Sequence, residues 1–494
     1  MQSPPAAIQP GPGRGRAMLQ WPGKAAPAAV PTPPARLVEM VDLRRAVPLG
    51  RVDARPDLPP TPDSLFQQAL PNLLLYGENQ AALAYLLAHG WAGQVKLIYI
   101  DPPFDSGDNY ARKVRLRHAQ PQVVAESLQY HDIWHGDSYL QFIYERLFLL
   151  RDLLAADGSI WLHCDYRQVH RLRLLLEEVF GEENYLNTIA WRSQVARGAK
   201  VNAFYFPYST QYIEIFAKQR SAPTLWHPQK KRLIFTREQA AAQFMEDAHG
   251  FFRTSDPGTY SFAKLQELHA AGRLYAPFGG EVIVDEANQR VYASNGGNIG
   301  VKYYLTRLGK DRFAVDRGVD NLWDDIAGLG TTPGEDVGYP TQKTEALLRR
   351  VIAASSRPGD LVLDCFLGSG TTAAVAQKMG RRWIGIDVAY GALQTTRRRL
   401  QRIVQESGPG FAVYHVGERP LPPGVGGAAL DWHCARSADG RTLEIEISDY
   451  RAPEPTGARR RGHAADDWRA LVDAVDIDPA YDGEILRPLL SDLP

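Results

Sequence analysis

The chain has 494 residues, with 56 Lys+Arg balanced by 56 Asp+Glu and a hydrophobic share of 44%. That length suits two or three globular domains, and zero net charge excludes a whole-molecule basic field, so any nucleic-acid contact must come from local clusters. The three cysteines, Cys164, Cys365 and Cys434, are scattered and lack CxxC spacing. This excludes a disulfide framework and a zinc site, leaves no metal to expect, and fits a reducing cytoplasm.

No apolar run has the length of a membrane span, and the opening MQSPPAAIQPGPGRGRAM lacks the apolar core of a secretory signal. Residues 1–65 are Pro/Ala/Gly-rich and are expected to be tail and linker, with LQWPGK (19–24) as one island able to dock. From residue 72 the texture changes: NLLLYGEN is strand and turn, AALAYLLAHG a short helix, VKLIYI a second strand. This strand–helix–strand unit marks a parallel α/β sheet.

A polar loop is expected over 105–137. The amphipathic helix SYLQFIYERLFLLRDLLAADG follows, then the strand SIWLHCD and the helix YRQVHRLRLLLEEVFG. Two strand-like runs, YLNTIAW and TQYIEIFAK, are joined by a basic, aromatic connection. The α/β rhythm is lost over 219–338 and resumes at 339. There the helix TEALLRRVIAASS leads to strand LVLD, a glycine turn, helix TTAAVAQKMG, strand WIGID and a further helix. Residues 409–494, with strands FAVYHVG and TLEIEISDY, form a small C-terminal extension.

LVLDCFLGSGTTAAVAQKMGRRWIGID has the plan of a nucleoside-binding βαβ unit. Gly368 and Gly370 allow close backbone approach, the helix start at Thr371 offers N–H groups, and Asp387 can accept from both ribose hydroxyls. No Lys-Ser/Thr follows the glycines, so this is not a phosphate-cradling loop. Asp364 and Phe366 suit an adenosine that carries an amine.

In LIYIDPPFDSGDNY (97–110) a buried strand is stopped by an acid and two prolines. Such a tip suits transfer to an exocyclic amine, whose lone pair is delocalised into its ring. Asp101 accepting one N–H and the Pro102 carbonyl the other would localise that lone pair. Pro102 and Pro103 stiffen the tip, and Phe104 can stack on the base. The base must leave its duplex, at a cost of a few kcal/mol. A methyl sulfonium held in line would then be attacked directly.

With DPPF at 101–104, FLGSG at 366–370 and YPTQKTEALL at 339–348, the sequence resembles the permuted β group of S-adenosylmethionine-dependent DNA amino-methyltransferases. That group includes the modification subunits of type III restriction systems. The resemblance covers roughly residues 70–400 and implies an α/β, Rossmann-like fold: a mostly parallel seven-stranded sheet, circularly permuted, with an inserted target-recognition domain. The implied organisation is tail 1–65, methyltransferase halves 66–218 and 339–408, recognition insert 219–338 and extension 409–494.

It implies S-adenosylmethionine as cofactor, with Asp364, Phe366, Gly368, Ser369, Gly370 and Thr371 on its methionine side together with Thr341 and Lys343 of the PTQK run. Asp387 would take the ribose and Glu78 lie near the adenine; Thr344 and Glu78 stand where the family usually has proline and aspartate. Asp101 to Phe104 would be catalytic. Tyr205, Phe206 and Tyr208 are candidates for a second stacking wall, and Thr210-Gln211 stands where a His-Asp pair is expected. Asp before the prolines favours adenine N6 over cytosine N4.

Arg112, Lys113 and Arg115 of RKVRLR, and Arg192, Arg197 and Lys200 of WRSQVARGAK, are candidate phosphate contacts. The insert holds 14 basic and 15 acidic residues, so it would read bases by specific hydrogen bonds rather than bulk attraction. RRRLQR (397–402) and RRR (459–461) are expected to be solvated. The expected function is site-specific adenine-N6 methylation of double-stranded DNA in a restriction-modification or related defence system. A nuclease or helicase subunit and a second copy of the chain are candidate partners. Cytosine-N4 methylation, methylation of RNA or a protein glutamine, and a non-catalytic specificity subunit are the rival readings.

Overall fold

The computed structural model describes residues 18–41, 72–104, 109–115, 123–131, 138–195, 204–222, 225–339, 341–406, 409–417, 429–436, 443–451, 475–477 and 490–492. They divide into two compact units, Met1–His227 with Asn321–Pro494, and Pro228–Asp320. Among the described residues no helix is long and apolar enough to cross a membrane.

The first unit is built on one large sheet. Its strands in chain order are β1 (Ala35–Val41), β2 (Asn72–Tyr76), β3 (Val95–Ile100), β4 (Leu154–Cys164), β5 (Tyr185–Arg192), β6 (Thr210–Ala217), β7 (Leu322–Trp323), β8 (Leu361–Asp364), β9 (Arg382–Asp387) and β10 (Phe411–Val416). They lie side by side as β1-β10-β2-β9-β8-β3-β4-β6-β5-β7. The run β10-β2-β9-β8-β3-β4 is parallel throughout. Strand β6 is antiparallel to both its neighbours, and β1 closes the other edge antiparallel to β10. Strands such as NLLLY and VKLIYI are apolar apart from Asn72 and Lys96 because helices cover both faces of a parallel sheet.

Among the described residues six helices accompany the sheet: α1 (Asn79–Ala88), α2 (Ser138–Leu153), α3 (Val169–Phe180), α4 (Glu345–Ser355), α5 (Thr371–Lys378) and α6 (Tyr390–Glu406). Helix α3 shows how local sequence sets the packing. Its buried residues Leu172, Leu175, Leu176 and Val179 recur every three to four positions, and Gly181, at φ 94°, ends it.

The topology locates the site. Strands β3 and β8 are neighbours, but the chain runs from β3 to β4 on one side and from β8 to β9 on the other. Their carboxyl ends therefore flank a crevice where the strand order reverses, the place where open α/β sheets take ligands.

Several expectations change. The sheet has ten strands rather than seven, and FAVYHV belongs to it as β10 instead of to a C-terminal extension. The expected loop 105–137 contains an antiparallel hairpin, Asn109–Arg115 with Val123–His131. The expected tail contributes edge strand β1. Its LQWPGK segment docks: Trp21 is buried edge-on to Tyr144, and Lys24 Nζ bonds Glu178 at 2.7 Å.

The RRRLQR run is solvated only at its end, where Arg402 is exposed. Arg397 is buried and its Nε donates to both Glu39 oxygens at 2.8 and 2.6 Å, while Arg399 reaches Glu345. The run looked like solvated surface because its partner Glu39 is remote in sequence.

The second unit is narrower than 219–338, since Leu322-Trp323 pairs with β5 of the first. It holds a three-stranded and a four-stranded antiparallel sheet and the hairpin Val282–Asp285/Arg290–Ala293. Two small cores fill it, one around Leu268, Leu274 and Val301 and the other around Phe251 and Phe313.

Breaking the buried Glu39–Arg397 pair strands a charge. Glu39→Leu is expected to lower stability by about 3 kcal/mol, and adding Arg397→Met to recover most of it. Urea unfolding of the single and double variants checks this, and equal losses in both would refute the coupling.

Candidate active site

A cavity of about 280 Å³ lies at the crevice between β3 and β8. It gathers Asp101 and Pro103 of the tip, Glu78, Thr341 and Lys343, and Asp364, Phe366, Gly368, Ser369, Thr371 and Asp387. Of the remaining candidates, Gly370 shapes the turn, Pro102 is buried behind the tip, and Phe104 packs 6.0 Å from the His163 ring.

The glycine turn is forced by its backbone. Gly368 and Gly370 have φ of 54° and 75°, where a Cβ is strained. At Gly370 a Cβ would also sit 2.6 Å from Thr396 Oγ1, and at Gly368 3.3 Å from the Tyr339 ring. Two carboxylates brace the turn. Asp387 accepts from the Gly368 and Ala389 amides, each at 2.8 Å. Asp364 accepts from the Phe366 amide at 2.9 Å and from Thr372 Oγ1 at 2.6 Å. Burial raises both carboxyls, that of Asp364 to about 7 despite those two donors, with the charges of Asp101 and Asp387 adding to the rise.

Glu78 caps α1, accepting from the Ala81 amide at 2.9 Å, and pairs with Arg146. Arg146 lies over the Phe142 ring at 3.5 Å, and Phe142 meets Phe366 edge-on. These rings form an apolar wall of the cavity.

At the DPPF tip, Lys343 Nζ pairs with Asp101 Oδ2 and donates a second bond to the Thr341 carbonyl at 3.2 Å. Asp101 Oδ1 is buried without a hydrogen-bond partner. Burial raises the Asp101 carboxyl, and the Lys343 ammonium opposes that rise.

Beside it, His163 receives the Tyr99 hydroxyl at Nδ1 (2.7 Å) and meets Gln211 Oε1 with Nε2 (2.9 Å). Burial and the Lys343 charge push this imidazole well below its usual range, so it is neutral. Sequence reasoning missed Tyr99 and His163. The signal available was strand period: Tyr99 shares a face with Asp101, and His163 lies at the end of the adjacent strand.

Of the candidate DNA contacts, Arg112, Lys113 and Arg115 fall on the first strand of the hairpin and Arg192 is exposed at the end of β5. Arg197 and Lys200 lie outside the described residues. Tyr205, Phe206 and Tyr208 are exposed rather than packed in a core. Tyr208 stacks on Tyr166 at 3.5 Å and 2°, beside Tyr205.

A family model for DNA methylases of the N6/N4 class matches residues 95–398. The chain belongs to this DNA methylase family. The methylase is 29% identical over 349 residues to the type II methyltransferase M.EcaI of Enterobacter cloacae, covering 67% of this chain and 70% of that one. It is 26% identical over 403 residues to the probable type III restriction-modification HindVI Mod subunit of Haemophilus influenzae, covering 67% of this chain but 50% of the relative. Over 154 residues it is 34% identical to the DNA adenine methyltransferase YhdJ of Escherichia coli, 29% of this chain and 50% of that one.

The Asp364 carboxyl has a testable consequence for the methylase. It titrates near 3.8 when unfolded and at about 7 when folded, so between those values the folded state holds the extra proton. Its contribution to stability therefore falls as pH rises through that interval. Asp364→Asn is expected to flatten the decline in urea midpoint between pH 4 and pH 7; parallel curves for the two chains would rule this out.

Proposed function

We propose that the methylase transfers a methyl group from S-adenosylmethionine to adenine N6 in double-stranded DNA, as the modification component of a restriction-modification system. The observation that carries this reading is the meeting, in one cavity, of the Asp101 tip with the glycine turn and Asp387. The cavity wall holds four carboxyl groups (Glu78, Asp101, Asp364, Asp387); Arg146 pairs with Glu78 and Lys343 with Asp101, while Asp364 and Asp387 are held by uncharged donors and suit a cationic ligand such as a sulfonium. Phe142, Phe366 and Val388 supply apolar surface for an adenine ring, and Asp387 supplies a carboxylate for the ribose hydroxyls.

Bound there, S-adenosylmethionine supplies an electrophilic methyl. Asp101 Oδ1 and the Pro102 carbonyl accept the two N–H bonds of the target amine and localise its lone pair. The lone pair so localised would take the methyl that the sulfonium would supply, sulfur keeping the bonding pair, and the nitrogen would shed one proton to water. Phe104 stacks on the extruded base, and the exposed Tyr166–Tyr208 stack offers aromatic faces for unstacked bases.

Adenine is favoured by the acid before the prolines and by the likeness to YhdJ. The Mod subunits among the relatives support pairing with a restriction partner. Unit Pro228–Asp320 is assigned target recognition because it interrupts the fold as a separate compact body. It presents Phe278, 92% exposed and at φ 55°, at the tip of a turn.

Incubating the chain with labelled S-adenosylmethionine and mixed-sequence duplex DNA, then digesting to nucleosides, is expected to give N6-methyladenine. N4-methylcytosine would overturn the base assignment, and a chain that neither binds the cofactor nor labels DNA would overturn the whole reading. Asp101→Ala should abolish transfer with cofactor affinity retained. Asp387→Ala should weaken cofactor binding about tenfold or more, the scale of a hydrogen bond to a charged group; unchanged affinity by calorimetry would remove the ribose assignment.

A further inference from the structure

We infer that Lys343 is a positioning residue for Asp101: its ammonium, anchored from the glycine-turn side of the cavity, keeps the carboxylate ionised and occupies Oδ2, so that Oδ1 alone is presented to the target amine. The inference rests on the amine-methylation reading and assigns Lys343 to the catalytic carboxylate rather than to the methionine end of the cofactor.

Both ends of the lysine are fixed. Its carbonyl accepts from Thr371 Oγ1 at 3.2 Å, at the first residue of α5, and that same oxygen accepts from Arg399 at 2.9 Å. Its ammonium is shared between Asp101 Oδ2 and the Thr341 carbonyl. Thr341 adopts φ 63°, a conformation rare for a β-branched residue, and its carbonyl meets the ammonium there. The side chains of Lys343 and Asp101 are only 9% and 15% exposed. The ammonium also lies 5.3 Å from the Phe104 ring centroid, so the same charge steadies the ring expected to stack on the base.

Buried carboxylate oxygens are ordinarily hydrogen-bonded. Here Oδ1 is buried and unpartnered, an arrangement that costs free energy until a donor arrives. An amine N–H is such a donor, provided the carboxyl is ionised; a protonated Asp101 would present a competing O–H.

The surroundings make the lysine necessary. Burial disfavours the Asp101 charge, and Asp364 on β8, Tyr99 on its own strand and His163 and Cys164 on β4 bring no positive charge, since His163 is neutral. Lys343 is the group that lowers the Asp101 carboxyl.

The test is the pH dependence of methyl transfer to duplex DNA at saturating S-adenosylmethionine for wild type, Lys343→Met and Lys343→Arg. With the charge removed, Asp101 holds its proton to higher pH. The Met variant should therefore lose about tenfold in rate, at any pH below its limb, for each unit by which the limb moves, and recover as pH rises. The Arg variant should keep the wild-type limb, and cofactor affinity should be unchanged in both. An unmoved limb in the Met variant, or a loss of cofactor affinity that accounts for its loss of rate, overturns the inference.

If the Met variant is inactive at every pH, infrared spectroscopy decides. A protonated-carboxyl band at neutral pH that disappears on adding Asp101→Asn is the expected result, and absence of the band overturns the inference. Failure of wild type to methylate any DNA would instead overturn the functional reading, and it is seen before any variant is made.

Discussion

The parallel pairing of β3 with β8, through Leu97 opposite Val362 and Ile98 opposite Leu363, is the contact on which the rest of the site depends. It joins the two halves of the chain at the centre of the sheet and sets Asp101 beside the glycine turn. Register here is unforgiving. A slip of one residue would turn Tyr99 and Asp101 to the opposite face and bring Ile98 and Ile100 into the cavity. Both strands are largely apolar and buried on both faces, so hydrophobic content alone does not fix that register; the fit of individual side chains and the polar contacts at the strand ends must set it.

That arrangement concentrates acid. Four carboxyl groups line one cavity, and burial works against each charge, yet chemistry with an amine and a cation needs acceptors there. The structure handles the conflict by assigning each acid its own donors. Asp387 and Asp364 are held by backbone amides and Thr372, Glu78 by Arg146 and a helix start, and Asp101 by Lys343. Behind Lys343, Arg399 and Lys378 both converge on Glu345 at the start of α4, tying the loop that carries the lysine to helices α5 and α6. A carboxylate shared by two cations near a helix N-terminus is a stable anchor, and its own carboxyl is held below the usual range by those bonds against the effect of burial.

The elements that fix the site were legible in the sequence because their signals are local. A short apolar run before Asp101, a Gly-x-Gly turn before an alanine-rich helix and an acid at the end of the next strand are each visible within a few residues. What escaped was set by partners distant in the chain. Lys343 meets Asp101 across 242 positions and Arg397 meets Glu39 across 358, so neither pairing could be read from the residues around it. Phe411–Val416 was separable from an appended domain only by knowing that β2 needed a neighbour. The polar hairpin of residues 109–131 hid for another reason. Its strands, NYARKVR and VVAESLQYH, mix polar and apolar residues without the continuous apolar run that marked the buried strands.

Gln211 shows how a departure from an expected pattern can keep its physical role. A His-Asp pair at this place would bring a fixed charge; here an amide oxygen faces His163 Nε2, which therefore carries the proton. Nδ1 is left as an acceptor and takes the Tyr99 hydroxyl proton. With its proton spent on His163, the Tyr99 oxygen has only lone pairs to offer the cavity it lines. The chain from Gln211 through His163 to Tyr99 thus sets hydrogen-bond polarity without adding charge, and it places a second acceptor on the face of β3 that carries Asp101. A wall built of acceptors, with its one ammonium already committed to Oδ2, selects ligands that bring N–H donors and positive charge, and this follows from the tautomer of one buried imidazole as much as from the acids themselves.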